Sequence, residues 1–240
     1  MQITLLGTGD ATGTPKIGCR CQQCTHAHDT GMTRLRTSLL VEHAGKNILI
    51  DSSPDLRQQL LRCGSPHIDA VIWTHGHYDH FMGYGEFYRV QDLPPVYAAP
   101  PVLEYCGGIF SFMSFRHNAM DTYEPFTISG VTFTLVEVNH PPVYSCGIVI
   151  ACDDIKIGYT ADTRFDIPEY SKELLSGVNL LLVDALAPRG YHVYKHMSYE
   201  EACQLATDLK AGDFRCVHLS HAIRWDLPHI GKDGECFRFD

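Results

Sequence analysis

Apolar residues in this chain recur in short stretches, either alternating with polar ones or in unbroken runs of four to six. Most stretches stop at glycine, proline or a polar cluster, which is the pattern of strands. Residues 3–6 alternate and feed a glycine-rich segment over 7–15. That segment lacks the Gly-Lys-Thr/Ser ending of a phosphate loop and has no clear helix directly after it, so its glycines are expected to let the backbone pass close to an active site. Residues 37–42 and 46–51 form a hairpin around Ala44 and Gly45, and Asp51 to Pro54 supply caps and a proline start for a helix over 55–61, closed by Gly64. The apolar run 70–73 is a buried strand.

Between 83 and 117 the pattern is irregular and aromatic, with Phe87, Tyr88, Tyr97, Tyr105, Phe110, Phe112 and Phe115. Core packing accounts for most of them, and a lid or dimer surface is the alternative. A second strand-rich stretch starts near Phe126, with strands over 131–138, 145–150, 155–160, 179–184 and 216–221. Helical spacing over 198–209 begins at Ser198 as N-cap, with Glu200 and Glu201 in the first turn. No repeat, low-complexity tract or long linker interrupts the series, so residues 1–240 are expected to form one domain.

Composition narrows the class of protein. The chain has 240 residues, 45% hydrophobic and 20% charged, which describes a soluble globular protein. The N-terminus lacks a leader pattern and no apolar run approaches membrane-spanning length, so a cytoplasmic protein with no membrane contact is expected. A net charge of −9 argues against a groove for long nucleic acid, whereas a small anionic substrate is compatible with it if metal ions supply local positive charge. Ten cysteines in such a chain point to thiols and metal ligands rather than disulfides.

Three of those cysteines, Cys19, Cys21 and Cys24, have the spacing Cys-x-Cys-x-x-Cys. It gathers three thiolates around one point and leaves a fourth tetrahedral position to a residue elsewhere; buried unliganded thiols are the alternative. After the strand at 70–73, His75, His77, Asp79 and His80 form a His-x-His-x-Asp-His run, four metal-capable side chains at a strand end. His140, Asp162 and His218 also stand at or just past strand ends, where side chains from separate strands converge on one edge. The seven together suffice for two metal ions if one carboxylate bridges them.

This ligand series resembles the metallo-β-lactamase fold hydrolases, over nearly the whole chain. The resemblance implies an α+β four-layer αβ/βα sandwich, with His75, His77 and His140 on one metal, Asp79, His80 and His218 on the other, and Asp162 bridging. More narrowly, the cysteine motif resembles that of the PhnP family, cyclic phosphodiesterases of the carbon-phosphorus lyase pathway of phosphonate metabolism. That likeness implies a structural zinc in a loop at about 15–30, held by Cys19, Cys21, Cys24 and His221. It also implies two divalent ions, zinc or manganese, at the active site, with His196 and Asp79 as catalytic residues. His196 would assist the leaving group or hold the phosphate.

The expected reaction is hydrolysis of a small cyclic phosphodiester, such as phosphoribosyl 1,2-cyclic phosphate, by a hydroxide held between the metals, in a homodimer. Proteins resembling PqqB share the cysteine motif but have a degraded ligand set, whereas here the set is complete. The tRNA 3′-processing endonucleases share the ligands, yet no Gly-rich basic arm is present. The alternatives are another hydrolase of this fold, acting on RNA, a thioester or a lactam, and a non-catalytic PqqB-like metal-binding protein.

Overall fold

The computed structural model describes residues 1–191 and 194–239. In chain order it contains β1 (Gln2–Gly7), α1 (Gln22–Thr30), β2 (Ser38–His43), β3 (Lys46–Ile50), α2 (Leu56–Arg62), β4 (Ala70–Ile72) and α3 (Tyr78–Phe81). A 3-10 segment, Met82–Phe87, then leads to β5 (Val96–Ala98), α4 (Pro100–Ile109), β6 (His117–Ala119), β7 (Pro125–Ile128), β8 (Val131–Glu137), β9 (Cys146–Cys152) and β10 (Ile155–Tyr159). The remainder is α5 (Glu169–Leu175), β11 (Leu180–Asp184), α6 (Tyr199–Asp208), β12 (Asp213–Val217) and β13 (Cys236–Arg238).

Two mixed sheets result, ordered β13-β1-β2-β3-β4-β5-β6 and β12-β11-β10-β9-β8-β7. They pack face to face with helices outside, the expected αβ/βα sandwich. The unbroken apolar runs follow from this layering, because a strand covered on both faces has no polar side. On β11, Leu180 and Leu182 enter the core between the sheets, while Leu181 and Val183 pack with Leu175 of α5 and Leu205 of α6. On β9, Ile148 and Ile150 face inward and Val149 faces the helices. The β2–β3 hairpin closes through Ala44 (φ 48°) and Gly45 (φ 75°), both left-handed, as a two-residue hairpin turn requires.

The aromatic stretch is largely core. Trp73 is fully buried, with the rings of Tyr84, Phe81, Phe115 and Phe110 centred 5.2–6.2 Å away. Tyr88, Tyr105 and Phe112 are exposed. Helix α6 begins at Ser198 as expected: its hydroxyl accepts from the Glu201 N–H and the Glu201 carboxylate accepts from the Ser198 N–H.

Two local expectations are corrected. The helix expected over 55–61 starts at Leu56, and Asp51 does not cap it; that carboxylate is drawn into the buried site described below. The strand expected over 216–221 stops at Val217, because His218 turns into the left-handed region (φ 57°) and breaks the ladder.

Candidate metal centre

The candidate ligands all lie beyond the C-terminal ends of strands on one edge of the sandwich. His75 and His77 follow β4, and α3 carries Asp79 and His80 back over the same edge. His140 follows β8, Asp162 follows β10, and His218 follows β12. The turns that deliver them are strained: Asp51, Ala161 and His218 are non-glycine residues at φ 58°, 50° and 57°. Each such residue costs on the order of 1–2 kcal/mol, so the packing around the site must hold them there. The two sheets are stitched together at this edge, where the Cys146 N–H donates to the Thr74 carbonyl at 3.1 Å.

Two donor groups result, His75, His77, His140 and Asp162 in one, and Asp79, His80, Asp162 and His218 in the other, each with its donor atoms within 4.8 Å of one another. His77 Nδ1 lies 3.1 Å from His75 Nε2 and 3.0 Å from His140 Nε2. Asp162 Oδ2 belongs to both groups, 3.5 Å from His75 Nε2, 3.8 Å from His140 Nε2, and 3.3 Å from both His80 Nε2 and His218 Nε2. Asp79 Oδ2 lies 3.4 Å from His80 Nε2 and from His218 Nε2.

An outer layer decides which nitrogen of each ring faces inward. The Asp51 carboxylate accepts from His80 Nδ1 at 2.7 Å and from the Thr74 hydroxyl at 2.8 Å. With its proton given to Asp51, the Thr74 oxygen accepts from His75 Nδ1 at 3.0 Å. The Lys195 carbonyl accepts from His140 Nδ1 at 2.8 Å. In His75, His80 and His140 Nδ1 therefore carries a proton and Nε2 points at the centre, as a bare lone pair in His75 and His140 and, in His80, as the nitrogen that gives up its proton when an ion binds. His80 Nε2 and Asp162 Oδ1 are buried with no hydrogen-bond partner. Ring nitrogens and carboxylate oxygens converging in this way, where a bound ion takes the place of the protons, are the donor set of a divalent cation, so the residues present fit two such ions.

The electrostatics divide the centre. Burial pushes His75 down to about 3 and His140 to about 4, so both are neutral ligands at pH 7. His80 is driven well above its ordinary range, burial notwithstanding, because Asp162, Asp79 and Asp51 surround it. His218 rises to about 9 against the same burial penalty, through Asp162 and Asp79. Asp162 is held well below the usual carboxylate range, the flanking imidazoliums His218 and His80 outweighing burial. The second group thus carries the larger negative potential, which protons fill when a metal does not.

His196 stands at the rim. Its ring stacks on His218 at 4.9 Å between centroids, and its Nδ1 donates to Asp184 at 2.9 Å. Asp184, the last residue of β11, is fully buried and also accepts the Thr163 N–H at 2.9 Å. Its other oxygen faces His218 Nδ1 at 3.7 Å. Burial raises the Asp184 carboxyl above its ordinary value.

Cys19, Cys21, Cys24 and His221 form a separate group within the same 4.8 Å criterion. Cys19 and Cys21 Sγ lie 3.5 and 3.4 Å from His221 Nδ1, and hydrogen bonding to His221 lowers the Cys21 thiol to about 6. The turn from His218 to His221 is held from beneath by buried Arg34, which donates to the Ser220 and Ile223 carbonyls at 2.9 Å and lies 4.1 Å over the Trp225 ring. The glycine-rich loop runs alongside: a Cβ on Gly9 would sit 2.5 Å from the Arg34 carbonyl, so only glycine permits that approach. Asp51 was expected to cap a helix, and Asp184 and Arg34 carry no sequence signal of a role at the site.

The profile of the Beta-lactamase superfamily domain matches residues 46–219. A diphosphatase of the PhnP family has a similar structure, with TM-score 0.86 and 30% identity, covering 100% of this chain and 98% of that one. Zinc-bound PqqB from Methylobacterium extorquens shares the fold, with TM-score 0.85, 21% identity and 100% of each chain covered. An octanoyltransferase from Porphyromonas gingivalis is 32% identical over 96% of this chain and 48% of its own length. The chain therefore spans about half the length of that relative. No helix among the described residues is long and apolar enough to cross a membrane.

Proposed function

The chain belongs to the beta-lactamase superfamily, and on that premise we propose that it hydrolyses a small phosphodiester, a cyclic one above all, at a two-metal centre. The observation that carries this is Asp162 Oδ2, common to two four-donor groups and within 3.3–3.8 Å of four ring nitrogens. His75, His77 and His140 would hold one ion, Asp79, His80 and His218 the other, and Asp162 both. Bound there, zinc or manganese would supply Lewis acidity toward the phosphoryl oxygens and a water acidified toward neutrality.

The protein's own residues would do the rest. Asp51 and the Lys195 carbonyl keep three imidazoles in the ligating tautomer, so no reorganisation is needed when the substrate arrives. Asp184 orients His196 through Nδ1, so that the doubly protonated ring would have its Nε2–H free to give that proton to the departing alkoxide, leaving a neutral imidazole, or to hold a phosphoryl oxygen. Asp79 carries no proton in this field and serves as ligand and charge. The cysteine group with His221 would hold one structural zinc, with no position left for substrate.

A second reading, cleavage of a diphosphate bond, is favoured by the likeness to the PhnP-family diphosphatase. Acyl transfer, raised by the Porphyromonas relative, has nothing in its favour among the groups that converge here, which are histidines and carboxylates. The deciding experiment compares rates of the metal-loaded protein on a cyclic phosphodiester, a diphosphate ester, a thioester and a lactam, with metal counted per chain. The phosphodiester is expected to turn over at least 100-fold faster than the thioester and lactam. Two active-site ions with no phosphodiester turnover would sink the proposal, and a single zinc per chain with no turnover would favour a PqqB-like binding role.

A further inference from the structure

Two cavities flank the metal centre, and their chemistry differs. The one beside His196, about 550 Å³, is walled by charged side chains, including Arg164, Asp166, Arg189 and Glu201. The one on the opposite flank, about 340 Å³, is walled by His77, Pro101, Val102, Tyr105, Val143 and Tyr144. We propose that this second cavity is a subsite for an apolar substituent, aryl or alkyl, of a phosphate ester bound at the metal centre. The proposal rests on the phosphate-ester reading above and goes beyond it by naming what one ester arm must be.

His77 joins the two spaces. Its Nδ1 faces His75 and His140 in the donor group, and the residue also lines the cavity. An ester bound at the donor groups would therefore have this cavity next to it, with His77 common to both. The walls are set in place rather than loosely hung. Tyr105 lies against the backbone of Gly76, where a Cβ would come within 2.6 Å of its ring, and Phe81 meets it edge-on at 6.1 Å. Val102 is buried, and the Tyr144 hydroxyl donates to Glu137 at 3.3 Å.

Beyond His77, the side chains lining the cavity carry no charge, and their polar atoms are the two tyrosine hydroxyls, of which that of Tyr144 is engaged by Glu137. A second phosphate or a sugar with several hydroxyls placed there would lose more hydrogen bonds to water than these walls return, whereas an apolar arm gains affinity, about fourfold for each methylene buried. In an open-chain diester the apolar arm would thus lie toward Tyr105 and the polar one toward His196, and in a cyclic diester the cavity would take an apolar substituent carried on the ring.

The test measures binding by calorimetry to the zinc-loaded protein, using methylphosphonate, butylphosphonate and phenylphosphonate, for the wild type, Tyr105→Gln and Val143→Asn. Melting curves identify any variant that fails to fold, in which case the other carries the comparison. Phenylphosphonate is expected to bind at least tenfold more tightly than methylphosphonate in the wild type, with butylphosphonate between them. In the variants the ratio should fall to threefold or less. Ratios within twofold in the wild type, a ratio that survives in every folded variant, or no binding of any phosphonate would each overturn the subsite.

Hydrolysis of p-nitrophenyl methyl and p-nitrophenyl phenyl phosphate is followed in parallel. A binding preference without turnover of either diester would keep the subsite and remove the hydrolytic reading. Turnover without a preference would do the reverse.

Discussion

The histidine-aspartate centre and the cysteine group are only three residues apart at the turn from His218 to His221, yet they are built on different terms. In the first, His75, His80, His140, Asp162 and His218 are at most 3% exposed, and an outer layer of Asp51, Thr74, Asp184 and the Lys195 carbonyl orients them. In the second, Cys19, Cys21 and His221 are partly exposed, and the contacts among the four residues themselves make up most of the geometry. A centre that must direct a reaction needs each donor oriented and a face left open. A group that only ties a loop to a turn needs four donors and nothing more.

Substitutions should separate the two regions. The largest effect is expected from Asp162→Ala, which removes the oxygen common to both donor groups. Turnover should fall below detection and both active-site ions should be lost by elemental analysis, while the zinc of the cysteine group stays. Loss of all three ions together would mean that the two regions are not independent.

Next comes His196→Ala, with a fall in kcat of about 10²–10⁴-fold and full metal content. The loss should shrink for an ester with a good leaving group, since less protonation is needed; equal losses for good and poor leaving groups would assign His196 to phosphate binding instead.

Asp51→Asn sharpens the point about the outer layer, because asparagine tolerates the left-handed backbone there and changes only the acceptor. Metal affinity is expected to fall about 10–100-fold with the fold intact. An unchanged metal titration would deny Asp51 its orienting role. The smallest effect on chemistry belongs to Cys21→Ser, which should remove one zinc per chain and lower the melting temperature, at about 2–4 °C for each kcal/mol lost. Unchanged zinc content and melting would dissolve the cysteine group as a metal site.

What could be read from the amino-acid sequence depended on how local each signal was. The spacing of His75, His77, Asp79 and His80 is local, and so are the alternation of β8 and the unbroken apolar runs of β9 and β11, which the sandwich covers on both faces. Helix α1 went unseen because its polar sequence, which starts within the cysteine motif and runs on to Thr30, has no apolar stripe to announce it. Helix α4 lies in the aromatic stretch, where Gly107 and Gly108 obscure a proline start that was legible.

Asp51 was missed for a more instructive reason. An aspartate before Ser-Ser-Pro at a strand end looks the same whether it caps a helix or orients a histidine 29 residues away. Asp184 was hidden as the polar end of an apolar run. Arg34 gave no signal at all, since its partners lie 186 to 190 residues along the chain.

That last separation has a consequence for how the molecule is made. As the chain leaves the ribosome, His75, His77, His140 and Asp162 are all present long before the turn that Arg34 grips. One donor group can therefore close on an ion while the other still lacks His218 and the cysteines still lack His221. A single late event, the docking of that turn, completes both remaining groups, so under the two-metal reading the first donor group would be the earliest able to hold an ion.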